Sequence, residues 1–125
     1  VQATLTPFID DTAQAFADAD VVIARAGAST VTELAAVGAA AIYVPFPHAV
    51  DDHQTTNARF VVDAGGGWLI PQNELKAQDL ADRLQFMTRR TLLACAEKAY
   101  AVRQVEAVAQ VVAACEQLAA KGKKQ

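Results

Sequence analysis

The sequence predicts an α/β fold, a Rossmann-like parallel sheet with flanking helices. Apolar runs rich in β-branched residues, at residues 21–24 and 40–46, suit strands that are buried on both faces. Helical stretches lie between such runs, and this alternation implies parallel strands joined by right-handed crossovers. With 125 residues, of which 53% are hydrophobic, the chain can form one domain with a real core.

The N-terminal elements follow from proline, acidic residues and glycine. Residues 3–9 predict a strand or extended segment, which Pro7 restricts to an edge or an end. Asp10 and Asp11 then open a helix that runs to about Asp18, because acidic residues suit helix N-termini. The apolar stripe of this helix comprises Ala13, Phe16 and Ala17. After the strand at residues 21–24, a helix is expected over residues 30–37, ending at Gly38 as its C′ residue.

The second half of the chain predicts two more strands and more helices. The strand at residues 40–46 ends at two prolines, and a helix follows from His53 to about Ala64. Three glycines then form a turn before the strand at residues 68–70. Further helices are predicted over residues 75–87, 90–102 and 104–120, the first with Leu80, Leu84 and Met87 on one face. The predicted order is β-α-β-α-β-α-β-α-α-α.

Composition excludes several classes of protein. A net charge of −3, with scattered positive residues, argues against a nucleic-acid binder. Cys95 and Cys115 fall in helical sequence and indicate neither a disulfide framework nor a metal site, and we expect no cofactor. No apolar run reaches the ~20 residues of a membrane span, and no signal peptide is present, so a cytosolic protein is expected. Because the sequence begins at Val1 without a methionine, we expect a piece of a longer protein.

The first candidate site is the strand–turn–helix sequence RAGASTVTE at residues 25–33. In open parallel sheets, ligands bind beyond the C-terminal ends of the strands. Gly27 permits a tight turn and close approach of a ligand, and the free N–H groups of the helix start can hold a phosphate. Ser29 and Thr30 add hydroxyl donors, and the Glu33 carboxylate can accept hydrogen bonds from a ribose diol. The structural alternative is a capping box formed by Thr30 and Glu33.

The second candidate site is the loop and helix start PFPHAVDDHQTTNA at residues 45–58. An aspartate before His53 is expected to cap the helix, which places His53 and Gln54 in its first turn beside the ligand end of the sheet. Asn57 follows on the same side of the helix. Amide side chains offer donors and acceptors that suit sugar hydroxyls. The alternative is an ordinary polar helix start.

Together these two segments carry a family resemblance. Residues 19–58, ADVVIARAGASTVTELAAVGAAAIYVPFPHAVDDHQTTNA, resemble the C-terminal half of the MurG-type N-acetylglucosaminyltransferases. The similarity begins at FIDD, residues 8–11, covers most of the chain and is weak in the last three helices. It implies the C-terminal half of a two-domain, GT-B type glycosyltransferase. It further implies an inverting reaction, with UDP-N-acetylglucosamine as donor and the lipid-linked muramyl-pentapeptide as acceptor. The resemblance also implies that the acceptor binds through an N-terminal domain that is expected to lie outside this sequence.

The resemblance also implies a role for each matching position. The backbone at Ile9 would meet the uracil, and Glu33 would hold the ribose hydroxyls. Gln54, with His53 beside it, would contact the N-acetylglucosamine, and Asn57 would support that loop. The turn facing the diphosphate would consist of Gly27, Ala28, Ser29 and Thr30.

The expected organisation is a donor-binding portion at residues 1–103 and a C-terminal helix with a basic tail at residues 104–125. The tail is expected to be a solvated end, with weak attraction to an anionic membrane surface as the alternative. His48 and His53 could act as acid or base, but neither is assigned as catalytic. We expect the chain alone to lack transferase activity and expect its sheet edge to permit self-association. The alternative functions are another UDP-sugar transferase and a non-enzymatic nucleotide-binding module.

Overall fold

A computed structural model describes residues 2–47, 53–103 and 105–122, and in the last range it describes the side chains of residues 113–121 only. From residue 12 onward, the described helices and strands alternate in the way the sequence predicts. Their bounds are α1 Thr12–Asp18, β1 Val22–Ala24, α2 Ala28–Val37, β2 Ala41–Tyr43, α3 His53–Asp63, β3 Trp68–Leu69, a 3₁₀ helix Gln72–Glu74, α4 Ala77–Phe86, α5 Arg89–Ala101 and α6 Val105–Gly122. None of these helices is long and apolar enough to span a membrane.

The three described strands form one parallel sheet in the order β1-β2-β3. Ile23 pairs with Ile42, and Ile42 pairs in turn with Trp68, so β2 is the central strand. All three residues of β2 are buried. Helices α2, α3 and α5 pack against one another, and their small side chains complete the core. The parallel α/β fold is therefore confirmed.

Two helix ends form as their sequences predict. The Asp11 carboxylate caps α1 by accepting a hydrogen bond of 3.0 Å from the backbone N–H of Gln14. Gly38 ends α2 in the left-handed conformation, with φ +68°, which an L side chain rarely adopts. These caps fix where α1 begins and where α2 turns towards β2.

The strand predicted over residues 3–9 is wrong. These residues have no regular secondary structure, and Leu5 and Phe8 are 94% and 77% exposed. A strand needs a neighbour that accepts and donates ladder hydrogen bonds, and none of the described strands pairs with this segment. The described chain therefore has three strands, where four were predicted.

Burial is also less complete than predicted near the N-terminus. Ile23 is 46% exposed although its neighbour Ile42 is fully buried, because β1 is an edge strand of the described sheet. In α1 only Phe16 of the predicted stripe packs against the core, while Ala13 and Ala17 are exposed. The prediction that β1 is buried on both faces is therefore wrong.

The helices of the C-terminal half form close to their predicted bounds. The helix predicted within residues 75–87 is α4, which begins at Ala77 after a separate 3₁₀ helix at Gln72–Glu74 that was not predicted. Leu80 and Met87 are half-buried, but Leu84 is 37% exposed. Cys95 is buried in α5 and Cys115 is exposed on α6, so only Cys95 matches the expectation of an apolar environment.

The hydroxyl group of Tyr43, a residue of the central strand β2, lies in the core. The Tyr43 side chain is fully buried, and its hydroxyl has no hydrogen-bond partner among the described residues. Burial, with a smaller contribution from Cys95, raises the pKa of Tyr43 to about 12. The hydroxyl therefore stays protonated at neutral pH and contributes no hydrogen bond to the core.

Candidate functional site

The candidate site lies where β1 and β2 end. The chain leaves β1 through Arg25, Ala26 and Gly27 before entering α2, and it leaves β2 through residues 44–47. Because the strands are parallel, both exits lie at the same edge of the sheet. This edge is where open α/β sheets bind ligands.

The N-terminus of α2 is free to bind an anion. Gly27 is its N-cap residue and makes no side-chain cap. The first helical N–H group with a backbone acceptor is that of Val31, which donates to the carbonyl of Gly27 at 3.0 Å. No atom of the described residues accepts a hydrogen bond from the backbone N–H groups of Ala28, Ser29 or Thr30. Three aligned donors at the positive end of a helix form an anion-binding arrangement.

The capping-box alternative for Thr30 and Glu33 is wrong. Because α2 begins at Ala28, Thr30 lies inside its first turn and cannot be the N-cap residue. The Glu33 carboxylate instead accepts a hydrogen bond of 3.1 Å from the Ser29 hydroxyl and remains exposed. The Glu33 carboxylate, which is predicted to bind a ribose, therefore lies on the same helix start as the free N–H groups.

The turn at Gly27 does not require glycine for its own conformation. Its φ is −61°, which any residue adopts, so the expectation that glycine permits the tight turn is wrong. A Cβ atom built there would meet nothing within 4 Å. Neither backbone strain nor packing requires glycine at this position, and a helix N-cap is a position where glycine is common.

Gln54 connects the two strand exits. Its Oε1 atom accepts one hydrogen bond of 2.7 Å from the backbone N–H of Phe46 and another of 3.3 Å from that of Ala26. Asn57, one turn further along α3, donates from Nδ2 to the carbonyl of Ala26 at 3.2 Å. The start of α3 is thereby tied to the turn that precedes α2, and the two candidate segments form one site.

Arg25 belongs to the same site, although no role was predicted for it from the sequence. Its guanidinium group donates to the carbonyls of Val44 and Pro45, each at 3.3 Å, and lies 5.5 Å from the centre of the Phe46 ring. A cation directly after a strand, at the edge where ligands bind, was the signal that could have identified it. Arg25 therefore holds the β2 exit against the β1 exit.

The remaining predicted residues occupy less informative positions. His53 is exposed at the first described residue of α3. Ile9 is 47% exposed in the irregular segment before α1, a helix that packs against α2. The predicted cap of α3, at Asp51 or Asp52, and the imidazole of His48 lie outside the described residues.

The sequence and the structure are both similar to known glycosyltransferases. Residues 1–121 match the model of the glycosyltransferase family 28 C-terminal domain. A protein of a Polaromonas species is 68% identical over 119 residues, which are 95% of this chain and 31% of that protein. A protein of an Acidovorax species is 66% identical over 95% of this chain and 30% of its own length. Both carry the name UDP-N-acetylglucosamine–N-acetylmuramyl-(pentapeptide) pyrophosphoryl-undecaprenol N-acetylglucosamine transferase.

A solved structure has the same fold. The crystal structure of MurG from Acinetobacter baumannii superposes with a TM-score of 0.83 at 42% sequence identity, over 91% of this chain and 33% of that one. The chain thus spans about a third of the length of the curated relatives that it matches. The resemblance inferred from the sequence is confirmed, and the family match includes α5 and most of α6. The chain belongs to the glycosyltransferase family 28 C-terminal domain family.

Proposed function

We propose that the chain is the donor-binding part of a transferase that moves N-acetylglucosamine from UDP-N-acetylglucosamine to an undecaprenyl-pyrophosphoryl-muramyl-pentapeptide. The relatives that match 95% of the chain carry the name of this activity. The observation that carries the proposal is the junction between the start of α2 and the start of α3. Gln54, at the start of α3, binds the backbone of Ala26 just before α2, so its amide group lies beside the open anion site.

On this proposal the diphosphate lies at the start of α2. The free N–H groups of Ala28, Ser29 and Thr30, with the helix dipole, bind its oxygens and stabilise the charge that develops on the departing UDP. Gly27 leaves the space that the diphosphate needs. No covalent intermediate with the chain is required, since an acceptor hydroxyl attacks the sugar directly.

The nucleoside and sugar lie on either side of the diphosphate. Glu33 accepts hydrogen bonds from the ribose hydroxyls, and the backbone at Ile9 contacts the uracil. Gln54, with His53 beside it, binds the N-acetylglucosamine. Because Oε1 of Gln54 already accepts two backbone hydrogen bonds, its Nε2 atom is the part of the amide that donates to a sugar oxygen. Asn57 supports the turn by binding the carbonyl of Ala26.

The organisation of the chain is also part of the proposal. Residues 1–103 form the donor-binding portion, and residues 104–125 form a C-terminal helix with a basic tail. The full protein is proposed to lie at the inner face of the cell membrane, where its lipid-linked acceptor is anchored. Self-association through the edge of β1, where Ile23 is 46% exposed, is proposed for the chain by itself.

Calorimetric titration of the 125-residue chain tests the proposal. UDP-N-acetylglucosamine, UDP-glucose and ADP are compared at equal concentrations. The assay measures binding and not sugar transfer, because the chain spans only about a third of the length of its relatives. We expect binding of the uridine nucleotides, strongest for UDP-N-acetylglucosamine, and no transfer. Equal binding of ADP would favour a general nucleotide-binding module, and preference for UDP-glucose would favour a transferase for another sugar. Either result would contradict the proposal.

A further inference from the structure

A second cleft lies beside the proposed sugar site, and none of the residues proposed to bind the donor lines it. Its volume is about 610 Å³, within the range of sites that hold drug-sized ligands. It lies beyond the ends of β2 and β3, between α3 and the 3₁₀ helix. The lining residues that matter here are Phe46, Arg59, Leu69, Pro71, Gln72 and Asn73.

The cleft combines an apolar wall with one positive charge. Phe46, Leu69 and Pro71 supply apolar surface, while the Arg59 guanidinium and the amides of Gln72 and Asn73 supply polar groups. Arg59 is exposed, and no described residue forms an ion pair or a hydrogen bond with its side chain. A guanidinium group without a protein anion is suited to a carboxylate or phosphate of a ligand.

The cleft is joined to the proposed donor site through Phe46. The backbone N–H of Phe46 donates to Gln54, and its side chain lines the cleft. Gln54 is the residue proposed to contact the donor sugar. A molecule in the cleft would therefore lie next to the sugar, as an acceptor must.

We propose that this cleft binds the peptide of the acceptor, with a peptide carboxylate at Arg59. The inference rests on the proposed function, from which the acceptor's pentapeptide is taken. A single cation with two primary amides and an apolar wall matches a peptide, which carries carboxylates, amide groups and small aliphatic side chains. A pyrophosphate would call for more positive charge, and the guanidinium of Arg25 already binds two backbone carbonyls.

Titration by two-dimensional ¹⁵N NMR of the 125-residue chain tests this inference. The probe is pentaalanine with a free C-terminal carboxylate, and the comparison ligands are amidated pentaalanine and sodium pyrophosphate. We expect the free peptide to shift the resonances of Arg59, Leu69, Gln72 and Asn73, and the amidated peptide to bind more weakly. Loss of a charge-assisted hydrogen bond in Arg59→Ala should reduce affinity about tenfold. Arg59→Lys should retain most of the affinity.

The control variant is Arg83→Ala, which removes an exposed arginine of α4 that does not line this cleft. It should bind the peptide as the unmodified chain does. Gln72→Ala provides a second variant, whose weaker peptide binding would support the cleft as the site. Absence of shifts, equal affinity of Arg59→Ala and Arg83→Ala, or preference for pyrophosphate would each overturn the inference. UDP-N-acetylglucosamine is titrated into the same sample. Donor binding without peptide binding would overturn this inference alone, whereas absence of donor binding would contradict the proposed function on which it rests.

Discussion

The side chain of Gln54 accepts a hydrogen bond of 3.3 Å from the backbone N–H of Ala26, which lies 28 residues earlier in the chain. The same oxygen accepts a shorter bond, of 2.7 Å, from Phe46. One amide oxygen therefore connects the exit of β1, the exit of β2 and the start of α3. The turn on which the anion site is built depends on this contact.

Substitution of Gln54 should separate its structural role from its binding role. Gln54→Ala leaves two backbone N–H groups without an acceptor, and we expect it to lower the free energy of unfolding by about 1–3 kcal/mol. Gln54→Glu keeps an oxygen in place but loses the donor Nε2, so it should unfold close to the unmodified chain while binding UDP-N-acetylglucosamine more weakly. Urea denaturation and calorimetry measure the two quantities. Equal stability of the two variants would contradict the structural role.

Alanine at Gly27 should weaken donor binding with little effect on stability, whereas alanine at Gly38 should lower stability without a specific effect on donor binding. At Gly27 the conformation is ordinary and the space is empty, so we expect a change of less than about 1 kcal/mol in the free energy of unfolding. Affinity for UDP-N-acetylglucosamine should fall about tenfold, because a methyl group would occupy the space proposed for the diphosphate.

At Gly38 the residue has φ +68°, and an added Cβ would lie 3.3 Å from the Cβ of Tyr100. Gly38→Ala should therefore lower the free energy of unfolding by about 1–2 kcal/mol without a specific effect on donor affinity. Thermal denaturation and calorimetry on both variants provide the comparison. Unchanged donor affinity in Gly27→Ala would remove the argument that a ligand approaches this glycine.

Glu33 should act on donor binding and not on folding. It is exposed and lies inside a helix where alanine is well tolerated, so Glu33→Ala should leave the free energy of unfolding nearly unchanged. Loss of a charged acceptor for the ribose hydroxyls should raise the Kd for UDP-N-acetylglucosamine about 10- to 100-fold. Calorimetry measures this effect, and Glu97→Ala, at an exposed position of α5, is the matched control. A donor affinity equal to that of the control would rule out the ribose role.

Tyr43→Phe should stabilise the chain and change its response to alkali. The buried hydroxyl has no partner among the described residues, so its removal should raise the free energy of unfolding by up to about 1 kcal/mol. Burial raises the pKa of Tyr43 from 10.0 to about 12 in the folded chain, so the unfolded chain loses this proton first as pH rises. The unmodified chain should therefore lose stability between pH 10 and 12 relative to Tyr43→Phe.

Urea denaturation at a series of pH values measures this difference. Comparing the two chains at each pH cancels the contributions of ionisable groups that do not interact with Tyr43. A stability difference that is independent of pH across this range would show that Tyr43 does not titrate as stated.

Some elements follow from local sequence because their physical causes are local. The αL end of α2 at Gly38 and the cap of α1 by Asp11 each depend on residues within a few positions. The parallel alternation likewise follows from apolar runs and their spacing. By contrast, the segment at residues 3–9 has strand-like composition but no strand partner among the described residues, and pairing is not a property of the segment itself.

The candidate site divides in the same way. The sequence by itself determined the strand–helix order from residue 12 onward, the two segments that carry chemistry and, through their residues, the family. Only the tertiary structure decided that α2 begins at Ala28, so that Glu33 is not used in a capping box, and that Gln54 folds back onto Ala26 and Phe46. It also placed Arg59 in a cleft with Gln72 and Asn73. These relationships join residues that are distant in the chain, and such contacts are fixed by how the helices pack on the sheet, which no local pattern encodes.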